Sequence, residues 1–398
     1  MTIVLDCGTT NTKLYLVQGK SCIRETVLPV GIRNIAGGMT KTQLKNRIRD
    51  GIEHLVAESG TDEQVEKLVA YGMITSELGF CELPHLDAPA GLAELQKGVC
   101  VQTDPELIRG VPVVYIRGLR NKVCPALPQE TQLSQFDFMR GEETQTIGIL
   151  KAYRPKLPTA VIVLSSHTKF VLFGADGEIK GSYTTVSGQL YMAVKENTSI
   201  GKSLAHTPGV ELSRSEDELI ESAKTCLRCG GFTRAMMMPR FMEIFEGYNE
   251  ADRDTFFQAA IELEDLKLLE MESAAPLLQA QEYLILGQKR RSELFARLLR
   301  EHIGTHRPVR VIWEQEEIQK STSQVRLRLQ TEKKGRMNMN YKMHGVIPPM
   351  ITPFTKEGTV DEAQLRTLLR FLQDKVHGVF VCGSYGSGTL MSVAEKSA

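Results

Sequence analysis

Two polar runs interrupt apolar strands in this chain, and both carry groups suited to holding phosphate. The first, "DCGTTNTK", runs from Asp6 to Lys13 between "TIVL" and "LYLV". A tight turn of this kind exposes backbone N–H groups, and Gly8 lets an anion approach them closely. Thr9 and Thr10 add hydroxyl donors, Asn11 completes the turn, and Lys13 adds a positive charge. Asp6, at the strand end, offers the oxygen ligand that Mg²⁺ prefers, directly or through water. Such parts suit phosphoryl transfer, in which a protein contributes mostly position and charge neutralisation. The competing reading is a plain hairpin built from ordinary turn residues.

The second run is Ser165-Ser166-His167-Thr168-Lys169, between "TAVIVL" and "FVLFG". Hydroxyls, an imidazole and an ammonium between apolar strands are costly unless they meet an anion or one another. Between the two runs lies "FDFMRGEETQTIGIL". Arg140 could grip a substrate carboxylate in bidentate fashion. Glu142 and Glu143 stand at an expected helix start, where either could accept a hydroxyl proton. The alternative is a solvated helix terminus with favourable dipole charges.

These residues need elements to position them. "TIVLDCG", "TKLYLVQG" and "CIRETVLPVG" read as an antiparallel meander. In "TKTQLKNRIRDGIEHLVAESG", Leu44, Ile48, Ile52, Leu55 and Val56 share one helical face. "KLVAYGMITS" is a further strand, giving a mixed sheet covered by helices. The layout restarts at "TAVIVLSSHTKFVLFGADGEIKGSYTTVSG", followed by helical segments including one around 276–302. Two similar halves predict an α/β chain with a nucleotide held in the cleft between them.

Composition narrows the function. The 398 residues exceed one ordinary core, and the 48 basic residues balance the 48 acidic ones. No basic field is present to collect nucleic acid. The N-terminus lacks the features of a signal peptide, and no apolar run reaches membrane-spanning length. Eight scattered cysteines read as free thiols in a reducing cytoplasm. Cys226 and Cys229 are close in sequence but lack a second ligand pair for zinc. "IGKSL" lacks the upstream glycine of a P-loop, and "GSYGSG" has the wrong spacing for a dinucleotide fingerprint.

The first run resembles the first phosphate motif of the actin/hexokinase superfamily of sugar kinases. With "GMITSELGFCELPHLDAPAG", "FMRGEETQTIG" and "SSHTKFVLFGADGEIKGSYTTVSGQLY", residues 1 to about 310 resemble the 2-keto-3-deoxygalactonate kinase family. The resemblance implies a two-lobed actin/hexokinase-like (ribonuclease H-like) fold, with lobe I over 1–155 and lobe II over 156–320. It implies ATP- and Mg²⁺-dependent phosphorylation of a 2-keto-3-deoxy sugar acid at its terminal hydroxyl. Asp6, Gly8, Thr9, Thr10, Asn11 and Lys13 would face metal and phosphates, with Ser166, His167, Thr168 and Lys169 as the second phosphate turn. Thr75, Ser76 and Arg140 would face the substrate, and Glu142 is favoured over Glu143 as base. Ser165 stands where the family pattern has glycine, Phe80 and His85 where it has Trp and Tyr, and Trp313 and Glu314 at its adenosine turn. Another reading of the same cleft is a homologue that binds the sugar acid without turning it over. The sequence is compatible with a homo-oligomer.

Residues 321–343 are basic and polar and read as a linker. Beyond them, "GVIPPMITPFTKEGTVDEAQLRTLLRFL" and "GVFVCGSYGSGTLMSVAEK" resemble the opening of the dihydrodipicolinate synthase/N-acetylneuraminate lyase family. Residues 344–398 then read as a truncated (β/α)₈-barrel fragment: a strand, a helix capped by Asp361, and a strand entering a glycine-rich loop. Two strands cannot close an eightfold barrel, so no aldolase activity is expected.

Overall fold

The alternating apolar residues at the N-terminus form three antiparallel strands in the computed structural model: β1 (Thr2–Cys7), β2 (Thr12–Gln18) and β3 (Ser21–Leu28). The structure describes residues 1–19, 21–60, 63–204, 207, 209–245, 247–304, 307–313, 351–356 and 359–372. Side chains alternate across β1, so Ile3, Leu5 and Cys7 enter one core while Val4 enters another. After α1 (Ile32–Ala36) comes α2 (Lys41–Ala57), which starts with a reciprocal capping box between Thr40 and Gln43. Leu44, Ile48, Ile52 and Leu55 are buried as the periodicity requires. Next, β4 (Lys67–Gly72) pairs in parallel with β1.

The rest of lobe I supplies short pieces. In chain order they are β5 (Leu86–Asp87), α3 (Leu92–Lys97), β6 (Cys100–Thr103), β7 (Pro112–Tyr115), β8 (Leu119–Arg120), α4 (Gln129–Leu133), β9 (Phe138–Met139) and α5 (Glu142–Tyr153). The main sheet has the order β3-β2-β1-β4-β7-β6, and β5, β8 and β9 form a small separate sheet.

Lobe II repeats the plan. A meander of β10 (Thr159–Leu164), β11 (Thr168–Phe173) and β12 (Ile179–Thr185) leads into α6 (Ser187–Asn197), α7 (Glu216–Phe245) and α8 (Glu250–Leu266). Then come β13 (Glu282–Leu286), α9 (Lys289–Ile303) and β14 (Val309–Ile312), giving the order β12-β11-β10-β13-β14. The expected continuous helix over 276–302 is corrected here, because β13 interrupts it. All five β13 residues are buried between parallel neighbours. A strand buried on both faces reads as an unbroken apolar run, which periodicity alone cannot tell from a buried helix segment.

Among the described residues, three of the four buried apolar clusters lie on the sheets. One lies between the lobe I sheet and α2, and one between the lobe II sheet and α7, α8 and α9. The third joins the lobes: Val4, Tyr15 and Tyr71 from one sheet, and Val163, Val171 and Phe173 from the other, pack with Ile147 of α5.

The chain divides into two compact units, Met1–Lys333 and Lys334–Ala398. In the second unit, α10 (Glu362–Leu372) begins where Gln364 N–H donates to Asp361 Oδ1 at 3.0 Å, the expected cap. No strand forms over Ile351–Pro353, in the span expected to hold one; Phe354 makes only an isolated bridge to Val360. The 321–343 linker, Glu314 and the glycine-rich loop lie outside the described residues.

Candidate active site

The segment from Asp137 to Glu143 touches both lobes. Phe138 O accepts from the Lys169 ammonium on β11 at 2.8 Å, and Asp137 Oδ1 accepts from Thr184 Oγ1 at 2.9 Å. Four residues on, Gly141 has φ 118°, a conformation that favours glycine and that starts α5 directly. A Cβ at Gly141 would lie 3.5 Å from Gly72 Cα. Gly72 ends β4 with φ 82°, and a Cβ there would lie 2.5 Å from Cys7 O and 3.4 Å from Asp6 Oδ1. Gly72 therefore separates the Asp6 carboxylate from the start of α5 by one residue's thickness.

The first turn, Gly8 to Asn11, is closed by Gly8 N–H donating to Asn11 O at 2.9 Å. Ile32 N–H donates to Gly8 O and Arg33 N–H to Thr9 O, while a Cβ on Gly31 would lie 2.5 Å from Thr9 O. The backbone of the β3–α1 corner thus lies directly on the turn. Thr10 and Asn11 are exposed, and Asp6, Gly8, Thr9 and Lys13 half-buried. Asp6 and Lys13 face each other across β1 and β2.

The second turn, Ser165 to His167, is closed by Ser165 N–H donating to His167 O at 3.0 Å. Ser166 is exposed and His167 half-buried, with Ser166 Oγ 3.3 Å from His167 Nδ1. Among the described residues, the backbone N–H groups of Thr9, Thr10, Ser166 and His167 make no hydrogen bond. Each turn therefore keeps a pair of adjacent donors of the kind that holds anions.

Five of the expected phosphate and substrate contacts are used internally instead. Thr168 is buried on the outer face of β11, 2.6 Å from Ser187 Oγ. Lys169 points to the opposite face, where Phe138 O, Thr184 Oγ1 at 2.7 Å and Asp137 at 3.6 Å take its ammonium. Strand alternation is the reason: adjacent residues of β11 must face different layers. The Thr75 hydroxyl donates to Gly72 O at 3.1 Å and that of Ser76 to Met73 O at 2.7 Å. Arg140 donates through Nη1 to Thr75 O and Oγ1, and through Nη2 to Leu83 O, with His85 Nδ1 3.4 Å away. Its fork thus braces the 75–85 loop rather than standing open for a carboxylate. Arg140 and Thr75 do meet, but as partners of one another.

The two glutamates divide by burial. Glu143 is fully buried; its carboxylate accepts from Gly141 N–H at 2.8 Å and from Thr144 Oγ1 at 3.0 Å. Burial, then the charge of Glu142, push its carboxyl up to about 8. Glu142 is half-buried, and among the described residues its carboxylate accepts from Arg140 N–H alone, at 3.2 Å.

Sequence reading missed three contributors. Arg291, on α9, donates to Ser165 O and Thr168 Oγ1 from 126 and 123 residues away, a distance that leaves no local signal. Gly72 was legible only as a strand end. His85 packs edge-on to Phe138 at 5.1 Å, and its Nε2 has no hydrogen-bond partner among the described residues. Burial and the cations Arg140, Arg120 and Lys169 lower the His85 pKa to about 4, so its ring is neutral near pH 7.

A cavity of about 860 Å³ lies elsewhere, in the lobe II helical layer, lined by Arg234, Met238, Phe241 and Phe245. It contains none of the residues of the two turns. Cys226 and Cys229 are free thiols on α7, and among the described residues no three His, Cys, Asp or Glu side chains cluster as a metal site. No described helix is long and apolar enough to cross a membrane.

The family model for 2-keto-3-deoxy-galactonokinase matches residues 6–311, and that of the dihydrodipicolinate synthetase family matches 342–398. A 2-dehydro-3-deoxygalactonokinase of Escherichia coli is 27% identical over 205 residues, 51% of this chain and 59% of the relative. A 4-hydroxy-tetrahydrodipicolinate synthase of Methanococcoides burtonii is 46% identical over 52 residues, 13% of this chain and 18% of that enzyme. The chain thus spans less than two thirds of each of these relatives. The crystal structure of a Sinorhizobium meliloti protein, described as a candidate 2-dehydro-3-deoxygalactonokinase, superposes with a TM-score of 0.61 at 19% identity, covering 83% of this chain and 100% of that one. That likeness shows the shared two-lobed fold. By its motifs and by a match across most of its length, the chain belongs to the 2-keto-3-deoxy-galactonokinase family.

Proposed function

We propose that this chain transfers a phosphoryl group from ATP to the terminal hydroxyl of a 2-keto-3-deoxy sugar acid, 2-dehydro-3-deoxy-D-galactonate. One observation carries the reading: two turns keep unpaired N–H groups, and Gly141, the residue before Glu142, packs on Gly72, which in turn lies against Asp6. The donor set fits a nucleotide's phosphates, and a half-buried carboxylate at a strand end fits Mg²⁺, which keeps most of its waters. Mg²⁺ supplies neutralisation of the charge on the transferring group.

The chain's own residues supply the rest. Thr9, Thr10, Ser166 and His167 hold phosphate oxygens through backbone N–H groups, and Asp6 holds the metal side. Glu142, the accessible carboxylate, accepts the proton of the attacking hydroxyl at Oε, a role worth about 10²–10⁴ in rate. Arg140 keeps the 75–85 loop in place through its carbonyl contacts. His85, with Nδ1 toward Arg140, carries its proton on Nε2 and packs behind Phe138.

The test is a coupled assay of ADP release across several 2-keto-3-deoxy acids, paired with calorimetry. Turnover of one of them supports the reading. Sugar-acid binding without turnover identifies a binding homologue instead, and binding of neither ligand overturns both.

A further inference from the structure

The second turn is gripped from beneath by one side chain. Arg291 lies in the first turn of α9. Its Nη1 donates to Ser165 O at 2.9 Å, and its Nη2 donates to Thr168 Oγ1 at 2.9 Å, with Ser187 Oγ at 3.4 Å. Its Nε faces Glu262 Oε1 at 3.5 Å. One planar guanidinium thus reaches the residue that opens the turn and the residue that follows it. Such a fork fixes geometry in a way that a flexible ammonium cannot.

The support for that fork is buried. Glu262, on α8, is 1% exposed, and Arg291 is the cation beside it. Removing either partner of such a pair leaves an uncompensated buried polar group. Asp265, also buried, meets the hydroxyls of Thr168, Thr185 and Ser187 from the same helix. On the other side, Gln189 N–H donates to Ser166 O at 2.7 Å, and a Cβ at Gly188 would lie 2.1 Å from Ser165 O. The carbonyls of Ser165 and Ser166 are therefore both held from below, while the N–H groups of Ser166 and His167 stay unpaired.

We propose that Arg291 is the positioning residue of the second phosphate turn, holding Ser165 and Thr168 so that the Ser166 and His167 N–H groups are set for phosphate before it arrives. Its Nη1 and Nη2 donate to Ser165, Thr168 and Ser187 and its Nε faces Glu262, so it acts through the turn and not as a phosphate ligand itself. Preset donors cost no reorganisation on binding. The role rests on the kinase reading for its consequence, but its geometry can be measured without activity.

The experiment compares Arg291→Lys with Arg290→Lys, whose native arginine contacts Thr255 and not the turn. Hydrogen exchange at the Ser165 amide, which closes the turn on His167 O, and at Thr168 is followed by mass spectrometry, with the β1–β2 amides as internal reference. Arg291→Lys should speed exchange at the turn about tenfold or more, the value of one lost charge-assisted hydrogen bond. Arg290→Lys should match wild type. In steady-state kinetics Arg291→Lys should raise the KM for nucleotide about tenfold while sugar-acid KM stays unchanged, and added guanidinium should restore nucleotide binding in Arg291→Ala. If Arg291→Lys unfolds, Thr168→Val removes the Nη2 acceptor together with the Thr168–Ser187 hydroxyl contact, and should speed exchange at the turn only. Unchanged exchange at these two amides in the folded variant, or a loss shared equally by both KM values, overturns the proposal. A wild-type chain that binds no nucleotide refutes the kinase reading, and the exchange result still decides the clamp.

Discussion

The two phosphate turns sit in matching strand frames but are braced by different means. Each joins the first two strands of a meander whose first strand pairs in parallel with a later one. At the first turn, backbone lies on backbone: Gly31 and Gly72 leave no space for a side chain, and the side-chain hydrogen bond that residues 8–11 receive is the weak one from the Cys7 thiol to Gly8 O at 3.8 Å. At the second, Gly188 gives a similar close approach, but Arg291, Ser187 and Asp265 add a side-chain clamp. The carboxylates differ too. Asp6 faces Lys13 in the first hairpin, whereas Val163 faces Lys169 in the second. A turn braced by backbone fails all at once when its neighbour changes. A turn braced by side chains can lose its set position while its fold survives.

The largest effect should come from breaking the backbone brace. Gly72→Ala places a methyl group 2.5 Å from Cys7 O at φ 82°. Left-handed strain and overpacking together should cost about 2–4 kcal/mol. Urea unfolding of the intact chain measures this, and a variant within about 0.5 kcal/mol of wild type, the ordinary surface-substitution range, contradicts the tight approach.

Next comes the asymmetry in charge. Asp6→Asn keeps size and removes the charge, and should lower kcat by about 10³-fold, the scale of one misplaced electrostatic stabiliser. Sugar-acid affinity, read by calorimetry, should stay near wild type. Retained turnover would move the metal role away from Asp6. Glu142→Gln should lower kcat by about 10²-fold with both KM values near wild type. An equal loss in Glu143→Gln, with Glu142→Gln active, would exchange the two roles.

Much of this frame was legible in sequence because short apolar runs are separated by polar turns. The meanders and their repeat show this spacing, and α2 carries a one-sided apolar pattern. β13 escaped because burial on both faces erases alternation. At the site, residue types were legible and directions were not. "SSHTK" announces a polar turn, yet only the packing of β11 between two layers decides that Thr168 and Lys169 are buried in opposite layers. "MRGEETQ" was visible as a chemical cluster, but its use of Arg140 on backbone carbonyls follows from a loop that lies more than fifty residues earlier in the chain. Arg291 sits in an ordinary basic amphipathic helix, and nothing in its neighbourhood marks it.

The smallest expected effect concerns pH and sharpens the division between Glu142 and Glu143. Burial first, then Glu142, raise the Glu143 carboxyl from 4.5 to about 8. Between those values the folded chain binds this proton more tightly than the unfolded chain does. The stability contributed by the neutral acid is full below about 4.5, falls as pH rises, and is lost by about 8. His85 works in the opposite sense: its pKa is lowered from 6.5 to about 4, so its share is lost as pH falls through that window. The two overlap below 6.5, which makes 6.5 to 8 the clean interval for Glu143. Wild type should lose stability across that interval. Glu143→Gln, which keeps an acceptor for Gly141 N–H, should lose less and be the more stable chain at the upper end. Urea unfolding at the two ends measures both slopes. Parallel slopes would mean that Glu143 is ionised throughout, and the buried carboxyl would then become a second candidate for the base.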